Sequence, residues 1–173
     1  MRIMLKMITL LLGMLSPLSF VSAAQPDPGH TANAQTVRQA VQHTPDRFTA
    51  FDTMNGVSLN DTKQEVLAHK GKPLKVTPDP FTGCSAYVYQ DAAVVLCDGI
   101  VDYVHVGAAA GKMQINGSWI PLSKYQVADA LGQPQFRAED GDVYLRGHHA
   151  VKVYTDPETG RLAGVDFFDQ ASE

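Results

Sequence analysis

The sequence has few of the residues, and none of the short motifs, that mark a metalloprotein or a common class of enzyme. It contains only two cysteines and one tryptophan among 173 residues. It has no GxSxG, Walker or HExxH motif, which argues against an α/β-hydrolase, a P-loop nucleotidase and a zincin. The two cysteines lack a CxxC spacing. We therefore expect no metal, no cofactor and no catalytic residue, although paired catalytic carboxylates would leave no short motif.

The chain also lacks an excess of basic residues. It has 14 Lys and Arg against 18 Asp and Glu, a net charge of −4, and its basic residues are scattered. Nucleic acids and anionic membranes are bound by clustered basic side chains, so neither is an expected partner. Beyond the N-terminus no apolar run approaches the roughly 20 residues that cross a bilayer, so we expect no membrane span.

The first 23 residues have the order of features found in a secretory signal peptide. Arg2 and Lys6 come first, an apolar run over 7–15 follows, and small residues precede the expected cleavage after Ala23. The alternative, a membrane anchor, requires a longer apolar run. The sequence therefore predicts a secreted or periplasmic protein with a signal peptide at 1–23.

Two segments 61 residues apart repeat one pattern. NGVSLNDTKQEVLAHKGKP at 55–73 aligns without a gap with NGSWIPLSKYQVADALGQP at 116–134. Each has an Asn-Gly turn, a Thr or Ser helix cap with Glu or Gln three residues later, and a Gly that ends the helix. We interpret the pair as an internal duplication. After a flexible lead at 24–35, repeat unit 1 with an N-terminal helix covers 36–110, and repeat unit 2 covers 111–173.

A strand-rich stretch follows each repeated helix. The stretch at 84–106 reads as three strands with turns at 90–91 and 98–99, and the stretch at 142–168 reads as three more. The sequence therefore predicts an α+β fold, in which two tandem helix-plus-antiparallel-meander repeats form one sheet with helices on one face.

The two cysteines are predicted to form a disulfide across the first of these hairpins. If residues 90 and 91 form a two-residue turn, Cys84 and Cys97 lie directly opposite each other, with Cα atoms about 4.5 Å apart. A disulfide can bridge this separation, and the oxidising compartment of a secreted protein favours it. A redox or metal-binding pair is the alternative.

The repeated motif resembles a unit shared by two protein families. The pattern [TS]-K-x-[EQ]-V, followed by G-x-P and a three-stranded meander, is similar to that of the SmpA/OmlA small outer-membrane lipoproteins and of the secreted β-lactamase inhibitor proteins. The tandem copy and the hairpin cysteines favour the second family, and this resemblance implies an inhibitor-like role. The sequence departs from both families in lacking a glycine just before each helix cap, and its second unit has no cysteine.

Strand alternation places aromatic and cationic side chains on one predicted face of the sheet, which we interpret as partner-binding: Tyr87, Tyr89, Tyr144, Arg146 and Tyr154. Tyr and Arg are enriched at the hot spots of protein interfaces. The alternative is that the tyrosines close the core with their hydroxyls at its rim, because strand propensity alone would place them there.

Two further features receive a structural interpretation. Trp119 lies between the second Asn-Gly turn and the second helix, and we expect it to plug the core rather than to bind a ligand. His148 and His149 point to opposite sides of a strand, and no spacing brings His105 beside them, so no metal site is predicted.

The leading functional hypothesis is a secreted or periplasmic non-catalytic module that binds another protein. Its sharper form is an inhibitor of an extracytoplasmic enzyme. Two alternatives stay open: a cell-envelope assembly or structural factor, and a small secreted hydrolase with unmarked carboxylates. The oligomeric state is not predicted.

Overall fold

The computed structural model describes residues 47–172, in which ten strands and two α-helices follow one another. The helices are α1 (Lys63–Lys70) and α2 (Lys124–Leu131), and the strands are β1 (Lys75–Pro78), β2 (Ser85–Val88), β3 (Ala93–Cys97), β4 (Ile100–Gly107), β5 (Lys112–Ile115), β6 (Ser118–Pro121), β7 (Phe136–Ala138), β8 (Gly141–Arg146), β9 (His149–Thr155) and β10 (Leu162–Asp169). Short 3-10 turns cover Ala108–Ala110 and Gln170–Ser172. The predicted signal peptide, the flexible lead and most of the predicted N-terminal helix lie outside the described residues, and residues 47–51 form no helix.

Eight strands form one antiparallel sheet in the order β1-β2-β3-β4-β10-β9-β8-β7. Four consecutive strands from each half of the chain therefore meet at the central pair, β4 and β10. Strands β5 and β6 form a separate hairpin. The edge strands β1 and β7 have only four and three residues, which limits uncontrolled pairing with other chains.

The predicted α+β class, with two helix-plus-meander repeats and helices on one face, is wrong, because the structure is mostly β. The helices α1 and α2 have eight residues each and bury only one and three side chains. Two turns of helix carry too little apolar surface to cover four strands. Much of the core opposite the sheet comes instead from chain before α1 and from the β5–β6 hairpin, through Phe51, Met54, Val57, Met113, Ile115 and Ile120.

One side of the sheet packs on this core. A row of directly paired residues crosses six strands on that side, and every member is buried: Tyr87, Val94, Val104, Phe167, Val151 and Tyr144. Directly paired residues share a face of a sheet, so this row defines the covered face. The opposite face follows from the residues at alternate positions.

Residues that are 61 positions apart in the two aligned segments also make similar contacts in the structure. The two Asn-Gly turns have positive φ at both central residues, as a tight hairpin turn requires. The amide of Asn55 donates to the Gln114 carbonyl at 2.9 Å, and the amide of Asn116 donates to the Thr53 carbonyl at 3.1 Å. In return, the Gln114 amide donates to Asn55 Oδ1 at 2.7 Å, and the Thr53 amide donates to Asn116 Oδ1 at 3.1 Å. Each turn thus binds the strand or segment that precedes the other.

The predicted helix caps are present. Thr62 Oγ1 accepts from the Glu65 amide, and the Glu65 carboxylate accepts from the Thr62 amide, which completes a capping box. Ser123 Oγ accepts from the Gln126 amide at 3.4 Å. These bonds satisfy amides that the first helical turn leaves without a backbone partner.

The disulfide and its hairpin register are confirmed. Cys84 and Cys97 are bonded, with their Cα atoms 4.2 Å apart. Residues 85 and 96 pair directly, as do the other residues of β2 and β3 in the predicted register. None of the helices between residues 47 and 172 has the length and apolar character needed to cross a bilayer.

Candidate binding face

The five predicted partner-binding residues do not lie together on an accessible face. Tyr87, Tyr89, Tyr144 and Arg146 belong to the core side and are at most 9% exposed. Tyr154 lies on the other side of the sheet. The reason is register: Tyr144 pairs with Val151, and Tyr154 is three positions from Val151, so the two tyrosines face opposite ways.

The burial of Tyr87, Tyr89 and Tyr144 agrees with the alternative interpretation, in which the tyrosines close the core. The Tyr89 hydroxyl donates to the Gly71 carbonyl at 3.5 Å, at the end of α1. Arg146 is held by backbone carbonyls: its Nε donates to Phe48 O at 2.9 Å, and its Nη2 donates to Leu131 O at 2.8 Å. These side chains hold covering segments onto the sheet, so they are not available to a partner.

The opposite side of the sheet, which we name the open face, is built from three cross-strand rows. Its central row takes one residue from each of the eight strands, paired in sequence across the sheet: Lys75, Val88, Ala93, His105, Asp166, Lys152, Val143 and Phe136. The row is apolar toward β3 and β8 and polar at its centre. All of its members are partly or fully exposed.

The second row of the open face is largely apolar. Its members pair directly from β1 to β8: Thr77, Ala86, Val95, Tyr103, Phe168, Ala150 and Leu145. On the other side of the central row lies a row of three glycines and one tyrosine: Gly107, Gly164, Tyr154 and Gly141. The open face is therefore an apolar band, a polar centre and a glycine-lined trough lying side by side.

A hydrogen-bonded cluster occupies the centre of the face. His105 Nδ1 lies 2.6 Å from Asp166 Oδ1, and the Tyr154 hydroxyl donates to Asp166 Oδ2 at 2.9 Å. The Asp166 carboxylate is therefore held at both oxygens. The His105 side chain is 43% exposed and that of Asp166 is 17% exposed. We call these three residues the His105 cluster.

Gly164 leaves room for the His105 ring. A Cβ atom on Gly164 would lie 2.8 Å from His105 Cε1, closer than real Cβ contacts allow. A Cβ atom on Gly107, its partner across the strand pair, would lie 3.7 Å from His105 Nε2, an ordinary contact. The absence of a side chain at position 164 thus leaves space for the imidazole in the position where it contacts Asp166.

Two charged pairs, His105 with Asp166 and Lys152 with Asp140, lie on the open face. The hydrogen bond that His105 donates to Asp166 raises the pKa of His105, and burial of the ring opposes this in part. Lys152 Nζ lies 3.0 Å from Asp140 Oδ2, and this bond lowers the pKa of Asp140. Burial raises the pKa of Tyr103, and nearby carboxylates, Asp166 first, add to the effect.

Three hollows mark the open face. One of about 510 Å³ lies over β2–β4 and the 79–84 loop, and its lining includes Val95, Asp102 and Tyr103. One of about 350 Å³ lies over β7–β10, between Leu145 and Phe168. The third, about 440 Å³, lies in the trough above Gly164 and its lining includes all three residues of the His105 cluster.

Exposed aromatic residues stand at both ends of this face. Phe81, in the loop before β2, is 95% exposed, and Phe136, on the edge strand β7, is 59% exposed. Asp79 holds the Phe81 loop, because its Oδ1 accepts from the Phe81 amide at 2.9 Å. Trp119 was expected in the core, but it is 49% exposed on β6, with Lys112 Nζ 4.2 Å from its ring centre.

The pairing of His105 with Asp166 was not predicted. A signal was available, because these residues are also 61 apart. If duplicated strands pair antiparallel with each other, a residue can lie opposite its own counterpart, and His105 and Asp166 are such a pair. His149, which was weighed above as a metal ligand, contacts the Phe51 carbonyl through Nδ1. Within residues 47–172 there is no group of three or more His, Cys, Asp or Glu placed to hold a metal ion.

Comparison with known proteins leaves the family open. No family model matches the chain, and no curated protein matches it. Among solved structures it is similar to an extracellular protein containing an SCP domain from Bacillus anthracis (16% identity, TM-score 0.48, covering 64% of this chain and 44% of that one). It is also similar to a cysteine-rich secretory protein from Staphylococcus aureus (12% identity, TM-score 0.40, covering 65% and 45%).

A DUF4309 family protein from Bacillus subtilis gives a comparable match, with 11% identity, a TM-score of 0.40 and coverage of 66% of this chain and 82% of that one. The chain thus spans less than half the length of the first two proteins. None of the three is described as a β-lactamase inhibitor or an SmpA/OmlA lipoprotein, and all three likenesses are too weak to support a functional argument.

Proposed function

We propose that this protein is an extracytoplasmic, non-catalytic module that binds another protein through the open face. The disulfide between Cys84 and Cys97 fits a secreted protein, since such bonds persist in oxidising compartments. The observation that supports the binding role is the contrast between the two sides of the sheet. One side is covered by the core, whereas the other presents apolar, polar and glycine-lined rows with an exposed phenylalanine at each end.

The size of the open face suits a protein partner. Eight strands about 4.8 Å apart, and about six residues of about 3.3 Å along each central strand, give roughly 34 by 20 Å, or about 670 Å². A typical stable complex buries about 800 Å² on each side. The face with its Phe81 and Phe136 rims is therefore of the right order for one interface, and no single hollow in it is an enclosed small-molecule cavity.

Charge indicates the chemistry of the partner. The cation Lys152 is paired with Asp140, whereas Asp79, Asp102 and Asp156 add negative charge around two of the hollows. Hydrogen bonds from their own loops lower the pKa of Asp79 and of Asp156, so both stay ionised. The partner we propose therefore carries basic side chains for these two hollows and apolar side chains for the hollow beside Phe136.

The test compares exposed aromatic residues on and off the face. Wild-type protein, Phe81→Ala and Phe136→Ala are used to capture proteins from culture medium and envelope extract, with Tyr125→Ala as the matched control, because Tyr125 is 79% exposed on α2. A protein captured by the wild type is then purified and its Kd measured by calorimetry. We expect at least one face variant to weaken binding about tenfold or more, and Tyr125→Ala to leave it unchanged. Equal binding by all four proteins, or no capture above background, would contradict the proposal.

Inhibition of an extracytoplasmic enzyme is the narrower form of this function. It is tested by assaying any captured enzyme with and without a molar excess of this protein. One observation favours a second candidate, a small secreted hydrolase: Asp166 holds Nδ1 of His105, whose ring lines a hollow, as a carboxylate orients a general base. Turnover in a hydrolase panel that His105→Gln abolishes would favour this candidate over binding.

A further inference from the structure

We infer that the His105 cluster makes binding at the open face depend on pH, because His105 changes its charge and the hydrogen bond it offers at the centre of that face. This inference rests on the proposed function and names its regulation. His105 and Asp166 lie on the central strand pair, so a partner that covers the face covers His105.

The geometry assigns the exchangeable proton to one nitrogen. Asp166 Oδ1 lies 2.6 Å from His105 Nδ1, and its other oxygen is held by the Tyr154 hydroxyl. Nδ1 therefore keeps its proton to donate to Asp166 in both charge states. The titrating position is Nε2, which is a hydrogen-bond donor in the imidazolium and an acceptor in the neutral ring. Nε2 belongs to the ring that lines the trough above Gly164, where a partner would meet it.

The groups around the ring determine the sign of the effect. Asp166 on β10 and the Tyr154 hydroxyl on β9 contact the cluster directly, and Ala93 is the paired residue on β3. Farther out, Tyr103 lies two residues before His105 on β4, and Lys152 is neutralised by Asp140. Asp156 lines the same hollow as His105. Protonated His105 cancels the charge of Asp166, whereas neutral His105 leaves the centre of the face with one negative charge.

A basic partner is consequently held more tightly when His105 is neutral. The bond to Asp166 raises the pKa of His105 above its ordinary value near 6.5, so the change of charge is centred at a higher pH than in a free imidazole. By linkage, a partner cation that shifts the pKa of His105 by about one unit changes its own affinity about tenfold between the two charge states. We expect binding about tenfold weaker at about pH 5.5 than at about pH 8.5.

The experiment has two arms that separate this inference from the proposed function. In the first, the ring nitrogens of His105 are followed by NMR through a pH titration of the isolated protein. We expect Nδ1 to stay protonated, Nε2 to titrate with a pKa above 6.5, and Asp166→Asn to lower that pKa. A pKa at or below 6.5, or deprotonation of Nδ1, overturns the inference.

In the second arm a synthetic peptide of alternating lysine and leucine is the probe, and its binding is mapped by amide shifts at both pH values. We expect shifts on the open face, weaker binding at low pH for the wild type and for His148→Gln, and no such pH difference for His105→Gln. Binding on the face with the same pH dependence in His105→Gln overturns the inference and leaves the proposed function standing. Shifts confined to other surfaces, or no binding, overturn both.

Discussion

Replacing Gly164 by alanine should displace His105 without changing any residue of the cluster. The added Cβ atom would lie 2.8 Å from His105 Cε1 and 3.3 Å from Nε2. Since ordinary contact begins near 3.4 Å, the ring must move about 0.6 Å. A movement of that size changes the length and the angle of the 2.6 Å contact between His105 Nδ1 and Asp166 Oδ1, which weakens this hydrogen bond.

The magnitude follows from opposing contributions. A charge-assisted hydrogen bond contributes about 1.5–3 kcal/mol when buried, but His105 is 43% exposed and the bond is weakened rather than lost, so this contribution falls by at most about 1 kcal/mol. A strained rotamer adds about 0.5–1.5 kcal/mol. Alanine also lowers the conformational entropy of the unfolded chain, which stabilises the fold by about 0.4–1 kcal/mol. Gly164→Ala should therefore destabilise the fold by about 1 kcal/mol and lower the pKa of His105 toward its ordinary value.

Gly107→Ala is the matched control, because Gly107 pairs with Gly164 and its added Cβ atom would lie 3.7 Å from His105 Nε2. Gly107 has φ −68° and ψ 150°, which any L-residue adopts. Urea unfolding gives the stability of both variants, and an NMR titration gives the pKa of His105 in each. An unchanged pKa of His105 in Gly164→Ala, or an equal fall in Gly107→Ala, would refute the steric argument.

Three further predictions concern stability. Removing the disulfide by Cys84→Ser with Cys97→Ser should cost about 3 kcal/mol in urea unfolding, because the bond closes a short loop in the unfolded chain; no difference between oxidised and reduced wild type would contradict this. The folded pKa of His105 lies above its unfolded value, so its contribution to stability is complete below about pH 6.5 and is lost as the pH rises through the folded pKa. The difference in unfolding free energy between wild type and His105→Gln should therefore narrow with rising pH. A difference that widens would show that the pKa shift has the opposite direction. Asn116→Ala should cost about 2–3 kcal/mol, since it removes bonds to the amides of residues 52 and 53 and places alanine at φ 47°, and Asn116→Gly should recover part of that loss in the same assay.

Several local features could be predicted from the sequence, because each depends on residues close together in the chain. The Asn-Gly turns, the caps at Thr62 and Ser123, and the register that places Cys84 opposite Cys97 all follow from short-range geometry. Turn type sets hairpin register, and a cap needs only the first helical turn. These elements are therefore where the predictions were accurate.

The fold class and the site depended on contacts between distant parts of the chain. Strand alternation correctly separated the residues of β2 and β3 into two sets, but it carries no information on which set is covered. The tyrosines at 87 and 144 are buried because the β5–β6 hairpin and the segment before α1 pack with them in one core, a role that neither segment's local pattern indicates. The short helices contribute less apolar surface than their clear sequence signature suggested.

What the sequence determined by itself is thus a set of turns, caps, one disulfide and a 61-residue offset between two segments. Only the tertiary structure decided that β4 pairs with β10, which brings His105 against Asp166 and leaves the open face exposed. The physical reason is that local geometry is set by backbone preferences over a few residues, whereas the choice of covered face depends on the summed burial of side chains far apart in the chain.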